Sequence, residues 1–372
     1  MFNDINKCIG YCEQCLYMIP TNDLQKPFKC GLKLENKTLG DKMANKMTKN
    51  ELKILQALPL ELKIEKSKIR ITEFVQYFGE ENVYISFSGG KDSTALLHLI
   101  RSLYPNIKAV YCDTGLEYPE IKTFIKTFDN IEIIRPEASF RDVLRLKGYP
   151  IISKEQAHQI QYARYSKLLG DDETYERYVT GKRIDSKTGE TYQYRPLSQL
   201  ALKLLDSDFL ISDECCQIMK KKPFKKYEHE NNIYGFTGLL AEESALRERQ
   251  YLQHTCNTYD GARPHSTPLA FWTEQDILKY LKDNNVPIAS VYGDIIMEKG
   301  IYKTTKCSRT GCCYCLFGIQ QEKEPNRIQQ LALTHPKIYE YCMKPMKDGG
   351  LGLQELMEFC DLPYKPINTE NN

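Results

Sequence analysis

Nowhere in its 372 residues does this chain carry an apolar run long enough to cross a bilayer, which excludes a membrane-spanning helix. Met1 to Gly10 has no charged stretch leading into an apolar one, so the expectation is a cytoplasmic protein and not a secreted one. Neither sign of charge prevails. Against 51 Lys and Arg stand 49 Asp and Glu, and the net +2 supplies no global basic field that would argue for DNA or RNA. Internal repeats and low-complexity tracts are missing too, which excludes a solenoid. The remaining composition, 41% hydrophobic and 27% charged, is that of a globular chain able to bury one large core or two modest ones. Cysteine is not scarce: there are 14. Cys215-Cys216 and Cys312-Cys313-Tyr314-Cys315 are too crowded for a disulfide framework and suit metal ligation in a reducing compartment.

The densest local signal is Ser88-Gly89-Gly90-Lys91-Asp92-Ser93-Thr94. It follows an alternating strand, Val83 to Phe87, and opens an apolar helical run, Ala95 to Ile100. Paired glycines let backbone N–H groups approach an anion, and the helix end adds positive potential. Lys91 brings a mobile charge, and the Ser93 and Thr94 hydroxyls are candidate donors. Asp92 makes sense beside a phosphate when a divalent cation joins it to the ligand. The spacing is neither G-x-x-x-x-G-K-[ST] nor G-x-G-x-x-G, so two common phosphate loops are excluded.

Around this loop the sequence alternates strand and helix. Ala109 to Cys112 and Ile131 to Ile134 read as short strands, Ile121 to Phe128 as a helix, and Ile233 to Gly238 as a later core strand. The order implies a parallel twisted sheet with helices on both faces, a Rossmann-like α/β fold. Ligands of such sheets lie outside the carboxyl ends of the strands, so the 88–94 loop and Asp113-Thr114-Gly115 are expected to share a pocket. Four regions follow: a Cys-rich segment 1–35, a linker and leading helix 36–80, the α/β domain 81–300 with an inserted loop or hairpin 170–196, and a cysteine-bearing helical region 301–372.

Ser88 to Thr94 resembles the PP-loop of ATP pyrophosphatases and of the phosphoadenosine-phosphosulfate (PAPS) reductase family, within the PP-loop adenine nucleotide alpha-hydrolase superfamily. Further segments are similar to that family: Asp113-Thr114-Gly115-Leu116-Glu117-Tyr118-Pro119-Glu120, Gly148-Tyr149-Pro150 with Ser153-Lys154-Glu155, Thr237 to Ser244 with Arg247, and Pro268-Leu269 with Trp272 to Ile277. The resemblance covers roughly residues 60–365, and Glu322 to Arg327 with Thr334 to Lys337 are similar to its bacterial and phage-type branch. It implies an adenine nucleotide as substrate, bound by Ser88, Gly89, Gly90, Lys91, Asp92, Ser93, Thr94, Asp113, Thr114, Gly115 and Gly238. Lys91, Asp92 and Arg247 are the candidate catalytic residues. For Arg247 the alternative is an ion pair with Glu243, and for Asp113 it is capping its own turn. Lys154 is a candidate anion contact. Thr273 and Asp276 read as a helix N-cap with no chemistry.

Cys215-Cys216 with Cys312-x-x-Cys315 resembles the C-C…C-x-x-C pattern of iron–sulfur sulfonucleotide reductases, and implies a [4Fe–4S] cluster. A vicinal pair is awkward for one Zn²⁺, whereas a cluster offers adjacent sulfurs separate irons. Cys256, Cys307 and Cys313 remain open as replacements. Lys220-Lys221-Lys222 and Lys225-Lys226 read as a solvated face, with contact to an anionic substrate as the alternative. Cys8, Cys12, Cys15 and Cys30 are candidate Zn²⁺ ligands in a segment too short for its own core. The E-C-G-x-H tail that carries the nucleophile of assimilatory reductases is absent; Cys342 and Cys360 are the only late cysteines. The expectation is therefore a PAPS reductase-like oxidoreductase of sulfur metabolism. An ATP-dependent, Mg²⁺-using sulfurtransferase acting on tRNA or DNA is the alternative, and a non-catalytic nucleotide or redox sensor is another. Candidate partners are a thiol or thioredoxin-like reductant, a nucleic-acid acceptor and a second copy in a homodimer; no membrane is expected.

Overall fold

The computed structural model describes residues 46–184, 188–261 and 263–367, together with the strands Met18–Pro20 and Phe28–Cys30. The chain divides into two compact units, Met1–Asn45 and Lys46–Asn372. In the first, Met18–Pro20 and Phe28–Cys30 pair antiparallel, Met18 opposite Cys30. Cys8, Cys12 and Cys15 lie outside the described residues.

The second unit is built on a six-stranded sheet in the order Asn257–Thr258, His265–Ser266, Tyr234–Phe236, Val83–Ser86, Ala109–Cys112, Ile131–Ile134. All neighbours run parallel except the first pair. Val83, Tyr84 and Ile85 are buried, as is every residue of Ala109–Cys112, because helices cover both faces and leave no side for polar alternation. This is the α/β fold expected. From Val83–Ser86 the chain first builds outward through Ala109–Cys112 to Ile131–Ile134. It then returns to add Tyr234–Phe236 on the other side, so strand order reverses at the end of Val83–Ser86 and opens the crevice where such sheets bind ligands.

The helix Leu60–Phe78 buries Ile71, Phe74 and Val75 against the sheet. Its polar contacts lock it to the first turn of the helix Glu274–Asp283 and to the segment before it. Ser67 Oγ donates to the Pro268 carbonyl and accepts from Trp272 Nε1, at 2.8 and 2.9 Å, and the buried Lys63 pairs with Asp276 at 2.6 Å. Thr273 and Asp276 form a capping box at the start of that helix, as the sequence implied.

A second core gathers residues between Leu116 and Met219 with the C-terminal helices; Ile151, Ile160, Leu204, Leu316, Leu353 and Met357 are central to it. Leu316–Phe317 pairs parallel with Ile151–Ile152 and ties the late cysteine loop into this core. The 170–196 insert contains more than a hairpin: a helix, Asp172–Thr180, precedes the strand pair Lys182–Ile184 and Thr191–Gln193. Among the described residues no helix is long and apolar enough to cross a membrane.

Candidate functional site

The phosphate loop leaves the strand Val83–Ser86 and enters the helix Lys91–Arg101. Gly89 sits at φ +72°, and a Cβ there would stand 2.8 Å from Ile121 Cγ2, so the turn demands glycine. Gly90 precedes the helix with no side-chain cap, and of the amides at this helix start that of Lys91 donates to the Tyr292 hydroxyl at 3.3 Å. Gly238, just past the strand Tyr234–Phe236, backs onto the same helix start: a Cβ would lie 3.1 Å from the Asp92 carbonyl oxygen.

The side chains of the loop depart from the simple picture of donors awaiting phosphate. Ser93 and Thr94 hydroxyls both donate to the Gly90 carbonyl, at 2.9 and 3.0 Å, and thereby lock the turn. Ser88 Oγ shares a hydrogen bond with Ser93 Oγ. Lys91 is not a mobile charge: its ammonium is buried, 2.8 Å from Glu274 Oε1 and donating to the Ser308 carbonyl at 3.0 Å. Asp92 keeps a buried Oδ1 with no hydrogen-bond partner. Burial pushes its carboxyl up, with Lys91, Arg309 and Arg247 pulling the other way. An orphaned buried carboxylate oxygen has the chemistry of a hard-cation ligand.

At the end of Ala109–Cys112, Asp113 accepts from the Gly115 amide at 3.3 Å and pairs with Lys122 at 2.7 Å. Burial would raise this carboxyl, but Lys122, the Gly115 amide and Arg135 outweigh it and hold it low. Asp113 thus caps its own turn, the plainer of its two readings. Thr114 Oγ1 donates to Glu117 at 2.6 Å and accepts from the Leu116 amide. Gly115, at φ +76°, faces open space. Arg247 pairs with Glu243 one helical turn back, again the plainer alternative, while remaining within electrostatic reach of Asp92.

A thiol pocket adjoins this edge. Cys215 and Cys216 hold their sulfurs 4.0 Å apart, and Cys312 and Cys315 share a tight turn in which the Cys315 amide donates to the Cys312 carbonyl. The four thiols act on one another electrostatically. A hydrogen bond from Cys215 pulls the Cys216 thiol well below the usual thiol range, against burial, with help from Lys154 and Lys220. Burial pushes Cys312 up to about 11 despite Lys220. Lys220 is therefore not on a solvated face. Burial disfavours its charge, but Cys312 and Glu117 hold the ammonium protonated. Its signal was position: one helical turn past Cys216, it shares that cysteine's side of the turn.

Among the described residues no three Cys, His, Asp or Glu side chains could hold a single metal ion. Cys313 turns away from the pocket: its amide and its thiol both donate to the Leu116 carbonyl, at 2.9 and 3.1 Å. The Cys307 thiol donates to the Arg309 carbonyl, and Cys256 lies against the Tyr251 hydroxyl. Cys342 and Cys360 are buried in the second core. Tyr292 and Ser308, which border the phosphate loop, and Arg309 beside them carry no motif of their own, and Glu274, though inside the Trp272 to Ile277 segment, gives no sign in one dimension that it meets Lys91.

Comparison with known proteins matches the sequence to one family model. The pattern described as "Phosphoadenosine phosphosulfate reductase domain" fits residues 82–183 and 171–316, more than half of the chain. A phosphoadenosine 5'-phosphosulfate reductase of Xanthomonas axonopodis pv. citri is 24% identical over 265 residues, covering 71% of this chain and 87% of its own. The enzyme of that name from Vibrio cholerae serotype O1 is 27% identical over 226 residues, covering 60% and 68%. Among solved structures, a PAPS reductase from Candida auris in a phosphate complex overlaps 66% of this chain and 90% of its own, at 14% identity and a TM-score of 0.34. That overlap is too slight to add to what the sheet itself shows. The matched residues run from the phosphate-loop strand through the paired cysteines, and the chain belongs to the phosphoadenosine phosphosulfate reductase family.

Proposed function

We propose that this chain binds an adenine nucleotide at Ser88–Thr94 and reduces a sulfonucleotide beside a [4Fe–4S] cluster held by Cys215, Cys216, Cys312 and Cys315. The observation that carries the reading is the fastening of Cys313 to Leu116, which ties the cysteine loop to the Asp113–Leu116 turn at the carboxyl edge of the sheet. The donor set fits such a cluster. The four thiols act on one another electrostatically, and the ammonium of Lys220 offsets the charge of their ionised forms. When bound at these cysteines, the cluster would supply a polarising, redox-capable centre.

The reaction joins a phosphosulfate and a dithiol reductant. The bond between the sulfonyl sulfur and its bridging oxygen breaks, sulfite and the nucleotide leave, and the dithiol becomes a disulfide, releasing protons as it supplies two electrons. The chain's own task is electrostatic. Lys91, drawn from Glu274 by the incoming phosphate, and Arg247, drawn from Glu243, would receive the negative charge that grows on the phosphate oxygen, and losing one such donor costs on the order of a hundredfold in rate.

Two observations favour a second reading. The late cysteines Cys342 and Cys360 are buried core residues, while Asp92 keeps an unpartnered buried oxygen suited to Mg²⁺. In this version ATP arrives with Mg²⁺, an acceptor oxygen attacks the α-phosphorus, pyrophosphate leaves, and sulfur then displaces the adenylate. An anaerobic assay separates the two. Sulfite released from PAPS or adenosine 5'-phosphosulfate with a dithiol supports reduction, and pyrophosphate released from Mg²⁺-ATP with a nucleic-acid acceptor supports the alternative. Neither product would leave a sensing module and overturn both.

A further inference from the structure

The segment that leads into the late cysteine pair also lies on the phosphate loop. After the strand Ile301–Thr304, the amides of Thr305, Lys306 and Cys307 donate to the carbonyls of Asp294, Tyr292 and Val291, at 3.0, 3.1 and 3.2 Å. The next residues touch the loop itself. The Ser308 carbonyl accepts from Lys91 Nζ, and the Thr310 hydroxyl meets the Tyr292 hydroxyl, which also accepts from the Lys91 amide at 3.3 Å. A Cβ on Gly90 would stand 3.4 Å from Tyr292 Oη and 3.7 Å from Thr310 Oγ1, so this strap lies close over the loop.

Arg309 sits between those two contacts. Both its neighbours are fixed to the phosphate loop or to its Tyr292 support, yet its side chain is exposed and, among the described residues, has no hydrogen bond or ion pair. The nearby cations are spoken for: Lys91 by Glu274 and Ser308, Arg247 by Glu243. Arg309 and Arg247 both act electrostatically on Asp92, the second residue of the loop helix, and on each other. An uncommitted guanidinium held at that edge can take a tetrahedral oxyanion through two parallel N–H donors without first breaking a protein ion pair.

We propose that Arg309 binds the terminal anionic group of the nucleotide, the sulfonyl of a phosphosulfate or the terminal phosphoryl of a triphosphate, and so selects against nucleoside monophosphates. The proposal rests on the nucleotide reading of the loop. Arg309 stands three residues before Cys312, so the group that orients the outer anion and the first cysteine of the late pair belong to one strap.

The test is calorimetric titration of the full chain, purified anaerobically, with AMP, adenosine 5'-phosphosulfate and a non-hydrolysable ATP analogue with Mg²⁺. Arg309→Ala is expected to weaken the phosphosulfate or the triphosphate by about 10- to 100-fold, the range for a charged hydrogen-bonding partner, and to leave AMP binding unchanged. Arg309→Lys should recover part of the loss. Which of the two probes suffers identifies the source of the anion. Unchanged affinity for both, or an equal loss for AMP, overturns the assignment while leaving the nucleotide reading intact. A wild-type chain that binds none of the three overturns that reading as well. Because Arg309 is exposed, the variant's thermal unfolding should match wild type, and a large drop would mark the residue as structural and refute the proposal.

Discussion

Lys91 Nζ stands 2.8 Å from Glu274 Oε1, an ion pair that joins the first residue of the phosphate-loop helix to the first residue of the helix Glu274–Asp283. The lysine side chain is 4% exposed and the glutamate 36%, so the pair is buried on one side only. An incoming phosphate competes with Glu274 for the same ammonium. Glu274→Gln is therefore predicted to tighten nucleotide binding by about two- to fivefold, the range of a half-exposed ion pair. Calorimetry at fixed ionic strength checks this, and weaker binding would contradict it.

The loop's glycine is the next test. Gly89→Ala adds a Cβ 2.8 Å from Ile121 Cγ2 at a backbone angle that L-residues rarely adopt. A loss of about 1–3 kcal/mol is expected from overpacking plus left-handed strain, read from urea unfolding. Unaltered stability would mean that the turn relaxes freely.

Two substitutions at the Lys63–Asp276 pair should differ in cost. Lys63 is 1% exposed, so Asp276→Ala leaves a buried ammonium with only the Gln56 carbonyl and should cost about 3–5 kcal/mol. Lys63→Met leaves Asp276 with the Thr273 amide and hydroxyl, each at 2.7 Å, and should cost clearly less. Equal losses in denaturant melts would contradict this asymmetry.

His98 sets a pH dependence. Burial lowers its pKa below 6.5, with Nδ1 2.8 Å from the Tyr280 hydroxyl. The unfolded chain then binds the proton more readily than the folded one, so His98's contribution is full above about pH 6.5 and falls away as pH drops toward the folded value. Following the imidazole resonance by NMR should give a midpoint below that of a free histidine, and His98→Gln should flatten this part of the stability profile. A midpoint at or above the free value would refute the sign.

Iron content tests the thiol pocket. Cys312→Ala and Cys315→Ala are expected to lose bound iron and sulfide after anaerobic purification, whereas Cys256→Ala, whose thiol lies against Tyr251, keeps them. The reverse pattern would move the ligand set.

Much of the fold could be read from the sequence, for a physical reason. A parallel sheet covered on both faces needs short, nearly continuous apolar runs, and Val83–Ser86 and Ala109–Cys112 are of that kind. The helix Asp172–Thr180 was not legible, because it buries no residue fully and so imposes little apolar periodicity on a polar, charged segment. Lys220 was misread within a run of lysines because only the fold turns it toward Cys312. The Ser93 and Thr94 hydroxyls were expected to face an anion, yet hydroxyls in a first helical turn also have a carbonyl within reach, and here both take that of Gly90. Arg309 is invisible in one dimension, since its neighbours on the phosphate loop lie more than two hundred residues away.

The central claim, that the loop holds the nucleotide whose sulfur is reduced, is tested most directly by single-turnover sulfite release from adenosine 5'-phosphosulfate or PAPS under anaerobic conditions with a dithiol, comparing wild type with Lys91→Ala. The account predicts sulfite in step with nucleotide product from the wild type, and a rate lower on the order of a hundredfold in the variant. Unchanged turnover and unchanged nucleotide affinity in Lys91→Ala would contradict it.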